Sequence, residues 1–261
     1  MTLQARNLSI GYGGTRVASA IDLDVKAGEV TCLLGPNGSG KTTLFKTLIG
    51  LIPPLGGEVT IDGSPLARLS VREVADHIAY VPQQHAPTFP FSVFDVVMMG
   101  RQARKGLLSA PDARDRQRTG EVLDQLGIGQ LAGADYSRIS GGQRQMVLIA
   151  RALVQDTMTL VLDEPTASLD YGNQVRIIGE IARLARSGYG IVLSTHNPDH
   201  AFAVADNVLL IHDGRIVATG GPEEVLVVER LSEVYGVPVN VRRLDGNLTI
   251  CVPRYDEVTR Q

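Results

Sequence analysis

The sequence lacks tryptophan altogether and has only two cysteines, Cys32 and Cys251, in 261 residues. Because the two are far apart and Cys32 lies in an apolar run, we expect no structural disulfide, which is typical of a reducing compartment. The chain also lacks a basic excess, with a net charge of −3 at pH 7. Proteins that bind nucleic acids usually carry such an excess, so no nucleic-acid partner is expected.

Long hydrophobic runs are missing as well. No segment approaches the roughly 18 uncharged apolar residues that a membrane span needs, and residues 1–6 do not begin the apolar core of a signal peptide. We therefore expect a cytoplasmic protein that reaches a membrane only through a partner. The hydrophobic content of 44% and the charged content of 20% are ordinary for a globular chain.

One segment matches the pattern GxxxxGKT, typical of loops that hold nucleotide phosphates, and its residues are Gly35, Pro36, Asn37, Gly38, Ser39, Gly40, Lys41 and Thr42. An apolar, β-prone run at 30–34 precedes this phosphate loop, and a helical pattern at 42–49, which includes Thr43, follows it. Strand, glycine loop and helix therefore come in the order that the motif requires. A chance match in a glycine-rich turn is the alternative, and the flanking strand and helix disfavour it.

The residue types of the phosphate loop suit an anion. Glycines remove Cβ atoms, so several backbone N–H groups can turn toward one phosphate. The helix adds unpaired N–H donors and a partial positive charge at its N-terminus. We expect Lys41 to reach the β- and γ-phosphates, and the Thr42 hydroxyl to bind the Mg²⁺ that bridges them.

A predicted strand at 158–164 ends in two carboxylates, Asp163 and Glu164. Consecutive side chains of a strand point to opposite faces, so the two carboxylates are expected to have different tasks. One can hold the metal through water while the other addresses the attacking water in phosphoanhydride hydrolysis. An acidic turn at a strand end is the alternative, and the phosphate loop upstream disfavours it.

Two single residues, Tyr12 and Gln83, are weak signals when each is taken alone. Tyr12 belongs to a predicted hairpin over 3–25, where it either stacks on adenine or is an ordinary turn residue of the sheet. Gln83 comes just after a predicted strand at 78–81, and a polar surface loop is the alternative there.

Two more features lie later in the chain. Ser140, Gly141, Gly142 and Gln143 precede a helix predicted from Arg144 to Leu153. This signature segment is either a second anion site or an ordinary helix N-terminus. His196 follows a predicted strand at 191–194, at the edge where ligands bind in parallel α/β sheets.

Taken together, these residues resemble the ATP-binding subunits of ABC transporters, over nearly the whole chain and in the family's order. Gly35 to Thr42 matches the Walker A loop, Gln83 the Q-loop, Ser140 to Gln143 the signature, Leu160 to Glu164 the Walker B strand, Ser168 to Asp170 the D-loop, His196 the switch histidine and Tyr12 the adenine-stacking aromatic. Ile139 departs from the family's usual leucine, a conservative apolar exchange.

The resemblance implies an α/β fold: a P-loop NTPase (RecA-like) core with an antiparallel β subdomain and an inserted α-helical subdomain. Residues 1–84 and 156–220 are expected to form the nucleotide-binding core with its N-terminal β subdomain. Residues 85–155 are expected to form the helical signature subdomain, and 221–261 a short C-terminal extension.

The resemblance also implies a mechanism. Two copies of the chain would associate head to tail, so that the signature segment of one completes the ATP site of the other. By the family's roles, Glu164 is the general base, Thr42, Asp163 and Gln83 bind Mg²⁺, and His196 contacts the γ-phosphate. Closure on ATP would push on two integral-membrane permease subunits through a groove beside Gln83 and the loop at 85–92. For Phe89–Val93 in that region, simple packing against the core is the alternative.

A finer, more diffuse resemblance is to ATPases of type II importers for iron chelates, haem, cobalamin and molybdate. It rests on 91–97 with Gly100-Arg101, on 140–153, and on 195–198 with the tail near 233–239. An iron chelate or haem is favoured over molybdate or cobalamin. The expected place is the cytoplasmic face of the inner membrane, with a substrate-binding protein as an indirect partner.

Two hypotheses from other functional classes are weighed against an importer ATPase. A soluble ABC ATPase of DNA repair or translation typically has a long coiled-coil insertion or two tandem cassettes, which this sequence lacks. A P-loop kinase for a small molecule would not need the signature segment and Asp163-Glu164 in this order.

Overall fold

A computed structural model describes residues 2–83, 90–105 and 110–255. Twelve strands are present in these ranges: β1 (Leu3–Tyr12), β2 (Thr15–Val25), β3 (Val30–Leu34), β4 (Gly56–Ile61), β5 (Ser64–Pro65), β6 (Ile78–Val81), β7 (Thr159–Leu162), β8 (Gly190–Thr195), β9 (Asn207–His212), β10 (Arg215–Gly220), β11 (Val239–Arg243) and β12 (Thr249–Pro253). Across the same ranges the helices are α1 (Lys41–Leu48), α2 (Val71–His77), α3 (Val93–Lys105), α4 (Ala113–Gln125), α5 (Gly141–Leu153), α6 (Tyr171–Arg186), α7 (Pro198–Val204), α8 (Pro222–Val225) and α9 (Val228–Tyr235).

Ten of the strands form one sheet in the order β5-β4-β1-β2-β10-β9-β3-β8-β7-β6. The section from β9 to β6 is parallel, whereas β5, β4, β1 and β2 pair antiparallel. All five residues of β3 are buried, as expected of a strand covered on both faces. Along this strand, Cys32 and Leu34 pack into one apolar core and Leu33 into the other, so the sheet has a core on each face.

The parallel section determines where the candidate residues lie. β3, β8, β7 and β6 are adjacent and run in the same direction, so their carboxyl ends meet at one edge. Gly35, His196, Asp163 and Gln83 each follow one of these strands within two residues. Ligands of open α/β sheets bind at this edge.

Between β6 and β7 the described residues form the helices α3, α4 and α5. Arg101 of α3 donates to the Asp115 carboxylate of α4 (3.0 Å) and to the Val154 carbonyl beyond α5 (2.8 Å). Arg118 of α4 donates to Asp156 (2.7 Å) on that same segment. At Gly100 a Cβ would lie 2.2 Å from the Arg151 carbonyl oxygen, so α3 and α5 are in close backbone contact. Packing and charge therefore join the three helices.

The structure departs from the sequence prediction in four elements. The strand predicted over 158–164 ends at Leu162, because Glu164 has a φ of 45° that a strand does not allow. The helix predicted from Arg144 begins at Gly141, because Ser140 caps it. Two short helices, α2 and α7, were missed, although both carry start signals. Ser70 and Glu73 form a capping box, and Asn197 caps α7 ahead of a proline at its first position.

Candidate functional site

The phosphate loop connects β3 to α1 and is shaped by its glycines. Gly38 and Gly40 have φ values of 82° and 101°, which glycine adopts at little cost. A Cβ at Gly35 would lie 2.3 Å from the Ile211 carbonyl oxygen, which excludes any side chain at that position. Beside the loop is a cavity of about 340 Å³, lined by Val17, Asn37, Gly38, Gly40, Lys41, Thr42, Thr43, Gln83 and Glu164.

Lys41 is buried beneath this cavity and is held by the loop itself. Its Nζ donates to the carbonyl oxygens of Gly35 (2.8 Å) and Pro36 (2.9 Å). It also lies 3.2 Å from Glu164 Oε1, with both side chains almost fully buried. The lysine therefore connects the phosphate loop to the carboxylate that follows β7.

Three of the predicted residues contact the carboxylate of Glu164. Its Oε2 accepts from Gln83 Nε2 at 3.3 Å and lies 3.1 Å from His196 Nδ1. Its backbone N–H donates to Ser194 Oγ at 2.8 Å. A non-glycine residue at positive φ is uncommon, and such conformations concentrate at functional sites. The site thus brings Lys41, Gln83, Glu164 and His196 together.

Asp163 is almost fully buried next to Glu164. The hydroxyl of Ser194 donates to its Oδ1 (2.8 Å) and that of Tyr80 to its Oδ2 (3.3 Å). Burial, together with the neighbouring Asp163 charge, raises the pKa of Tyr80 above its ordinary value, so the phenol stays a donor. Neither Tyr80 nor Ser194 was predicted. Ser194 could have been noticed as a polar residue in the mostly apolar β8. No feature of the sequence indicated the contact made by Tyr80.

The signature segment lies in a different cavity of the same chain. Ser140 Oγ accepts from the Gln143 N–H (3.3 Å), and Gln143 Oε1 accepts from the Ser140 N–H (3.0 Å), which forms a capping box at the start of α5. Gly142 and Gln143 line a cavity of about 220 Å³ that includes Asn173. A Cβ at Gly142 would lie 2.3 Å from the Asn173 side chain, so α5 and α6 touch at this glycine.

Asp170 and Tyr12 are the two remaining predicted residues. Asp170 caps α6, where its carboxylate accepts from the Asn173 N–H at 2.8 Å, and this hydrogen bonding lowers the pKa of Asp170. Tyr12 ends β1 with 48% of its surface exposed. Among the described residues that line the phosphate-loop cavity, Val17 belongs to the β1–β2 hairpin. Tyr12 is not one of these lining residues. Its contact with adenine stays a prediction.

The parallel section of the sheet, with a glycine loop after β3 and two carboxylates after β7, defines a P-loop nucleoside triphosphatase. The sequence model of the ABC transporter family matches residues 18–167, more than half of the chain. An ABC transporter ATP-binding protein from Haemophilus influenzae, described as uncharacterized, is 42% identical over 90% of this chain and 89% of its own length. The chain therefore belongs to the ABC transporter family and is an ATP-binding ATPase of that family.

Two further comparisons refine the likeness. A protein from Nocardia farcinica named as the hemin import ATP-binding protein HmuV is 39% identical over 92% of this chain and 85% of its own length. A solved structure of an inward-facing ABC transporter, described as of metal-chelate type, superposes with a TM-score of 0.87 and 30% identity, covering 98% of this chain and 99% of that one. In the part of this chain that the structure describes, none of the helices is long and apolar enough to cross a membrane.

Proposed function

We propose that the chain is the ATP-hydrolysing subunit of an importer for an iron chelate, either a siderophore complex or haem. The observation that carries the cargo class is its likeness, over nearly the full length, to the protein named for hemin import and to the transporter of metal-chelate type. The observation that supports the chemistry is the convergence of Lys41, Gln83 and His196 on Glu164 beside the phosphate loop.

ATP is bound by the phosphate loop. The first N–H groups of α1 and the positive φ of Gly38 and Gly40 direct backbone donors toward one anion. Lys41 leaves the carbonyls of Gly35 and Pro36 to pair with the β- and γ-phosphates. This movement also separates Lys41 from Glu164, so nucleotide binding frees the carboxylate.

The donor set fits Mg²⁺, a hard cation that prefers oxygen ligands. Asp163 is buried and its carboxylate is contacted by two hydroxyl groups, so its negative charge suits a cation. Thr42 and Gln83 both line the phosphate-loop cavity and supply neutral oxygens. Bound there, Mg²⁺ would neutralise charge on the phosphates. Thr42, Asp163 and Gln83 are the residues we assign to it.

Glu164 is the general base that accepts a proton from the attacking water. Gln83 and His196 both touch its Oε2, which orients the carboxylate toward the cavity. We also assign the γ-phosphate contact to His196, and the exposure of half of its side chain next to Glu164 supports this role. Both assignments follow the roles that the family resemblance implies.

The second copy of the chain supplies the other half of the site. Gly142 and Gln143 line a cavity distinct from that of the phosphate loop in the same chain, which supports a role for Ser140, Gly141 and Gly142 at a neighbour's nucleotide. Tyr12 and Asp170 are assigned to the nucleotide by the same family roles. The dimer is head to tail, and its closure on ATP drives transport.

Two integral-membrane permease subunits receive the motion through the groove beside Gln83. The loop expected to form part of this groove, at 85–92, falls largely outside the described residues, which begin again at 90. The chain would then sit at the cytoplasmic face of the cell's inner membrane, and a substrate-binding protein would act on it only indirectly.

An uptake experiment tests the cargo. A strain that lacks this gene is grown with haem, with ferric siderophores, or with inorganic iron as the iron source. We expect loss of growth on one chelate and recovery with the wild-type gene but not with Glu164→Gln. If the growth defect depended on molybdate or cobalamin instead, the transported substrate would be assigned to that class.

Purification tests the class of protein. The tagged chain extracted from membranes in mild detergent should carry a polytopic membrane protein with it. Recovery of the chain with ribosomes or DNA, and no effect of its deletion on any uptake, would point to a soluble ABC ATPase outside transport.

A further inference from the structure

The segment that carries His196 is held by the C-terminal part of the chain. We define the switch segment as residues 196–199 and the C-terminal unit as residues 222–253, from α8 to β12. Tyr235, the last residue of α9, donates its hydroxyl hydrogen to the His196 carbonyl oxygen at 2.9 Å. The Cys251 backbone N–H of β12 donates to Asp199 Oδ1 at 2.7 Å. Both ends of the switch segment therefore contact the C-terminal unit.

Apolar packing between these two parts is incomplete. A cavity of about 370 Å³ lies between them, lined by residues of both, Pro198 and Val237 among them. Where packing leaves a gap, the lining atoms lose dispersion contacts and restrain each other less. The two hydrogen bonds therefore add to the restraint that β8 places on the His196 backbone, where Thr195 pairs with Leu34.

The side chain of His196 depends on that backbone position. About half of its surface is exposed, so few neighbours hold the ring, and its Nδ1 reaches Glu164 Oε2 at 3.1 Å. A backbone displacement of an ångström at His196, directed away from Glu164, would take the ring out of hydrogen-bond range of that carboxylate. Burial raises the pKa of Tyr235 above its ordinary value, so its phenol remains a donor throughout the physiological range.

We propose that Tyr235 is a positioning residue for ATP hydrolysis, which acts through the main chain of His196 to keep the imidazole against Glu164. The inference rests on the proposed roles of Glu164 and His196. It gives the C-terminal unit a part in turnover, because the Tyr235 hydroxyl bonds to the main chain of His196.

The test uses Tyr235→Phe, which removes one hydroxyl and keeps the ring. Tyr189→Phe is the matched control, because Tyr189 precedes β8 at the end opposite His196. We expect kcat of the full-length chain to fall about 3- to 10-fold, the value of one hydrogen bond, with KM for ATP nearly unchanged. The control should match wild type in both constants.

Two readouts separate this positioning role from a purely structural one. In a double-mutant cycle, Tyr235→Phe should have no further effect in a His196→Ala background, because the two residues act in series. In proton NMR spectra, the ring resonances of His196, identified by their loss in His196→Ala, should move in Tyr235→Phe and stay in place in Tyr189→Phe.

Several outcomes overturn the proposal. Unchanged kcat and unchanged His196 resonances in Tyr235→Phe would remove the role, as would a full and additive loss in the His196→Ala background. The NMR arm needs no ATPase activity. If the wild-type chain failed to hydrolyse ATP while the His196 resonances still moved, the proposed roles in hydrolysis would fail but the Tyr235 contact would stand.

Discussion

Two helices of this molecule start at a glycine or directly after one and border a cavity, yet their N-termini are built differently. In α1, Gly40 is the residue before the helix, and no side chain among the described residues caps it or places an acid in its first turn. In α5, Ser140 and Gln143 form a complete capping box. The first helix therefore leaves backbone N–H groups for a ligand, whereas the second satisfies part of its own.

The difference shows why similar glycine patterns differ in what they can bind. The start of α1 has Lys41 with it and borders the cavity that we propose holds the phosphates within one chain. At the start of α5, the Ser140 and Gln143 side chains accept hydrogen bonds from backbone N–H groups of the same segment. Gly142 is packed against Asn173. We propose that the exposed rim of this helix start meets the partner's phosphates. Four substitutions, in order of decreasing effect, test this contrast.

The largest effect is expected beside α1, at Glu164. Glu164→Gln keeps the shape but removes the base, so ATP turnover should fall about 10²–10⁴-fold. ATP binding should persist, and a nucleotide-bridged dimer should accumulate in size-exclusion chromatography. Glu180→Gln, which breaks an ion pair with Arg183 on α6, is the control. Near-normal turnover in Glu164→Gln would exclude it as the base.

The next effect tests the α5 side. Gly142 is a poor position for a charge, because any Cβ there collides with Asn173, whereas a Cβ at Gly141 meets only Leu169 at 3.5 Å. Gly141→Asp would set a carboxylate against the partner's phosphates, and such like-charge contacts cost several kcal/mol, or roughly 100-fold in turnover. ATP affinity of the monomer, measured by calorimetry, should be unchanged.

Gly133→Asp is the control for that substitution, because a Cβ at Gly133 meets open space. It should leave turnover and dimer formation as in wild type. If Gly141→Asp instead abolished nucleotide binding by the monomer, the two helix N-termini would belong to one site, and the shared-site arrangement would be wrong.

Lys41→Ala returns to α1 and concerns affinity. Losing a charge-assisted hydrogen bond costs about 1.5–3 kcal/mol, which corresponds to a dissociation constant for ATP about 10- to 150-fold higher. Lys46→Ala on the same helix α1 is the control and should bind ATP normally. Equal affinities of the two variants in a fluorescent-nucleotide titration would contradict the assignment of the phosphate loop.

The smallest effect separates capping from binding on α5. Ser140→Ala should lower the free energy of unfolding by about 1 kcal/mol through loss of the cap, and should also reduce turnover. Asp112→Ala removes an equivalent capping box on α4, so it should cost similar stability in urea titrations with turnover unchanged. Identical turnover in both variants would leave Ser140 with a structural role alone.

Local patterns explain what could be predicted from the sequence. The phosphate loop, β3 and the hairpin of β1 and β2 follow from residue types within a dozen positions, and the structure has them at the predicted places. The meeting of Gln83, Glu164 and His196 was expected from the family resemblance. It also follows from the geometry of parallel strands, whose carboxyl ends share an edge.

Contacts between distant residues account for what was missed. Tyr80 and Ser194 reach Asp163 only because β6, β7 and β8 are neighbours, and no spacing in the sequence encodes that arrangement. The strand prediction extended past Leu162 because an apolar run in the sequence does not reveal the positive φ of Glu164. The hydrogen bond from Tyr235 to His196 joins residues 39 positions apart in the sequence, so it likewise has no local signature.

The cluster of Arg101, Asp115, Arg118 and Asp156 has a mechanical consequence. It joins α3, α4 and the end of α5, and at Gly100 the backbones of α3 and α5 are almost in contact. Tightly packed interiors resist compression and transmit strain. A load applied to the start of α3, the end nearest Gln83 in the chain, would therefore be carried to α4 and α5 together.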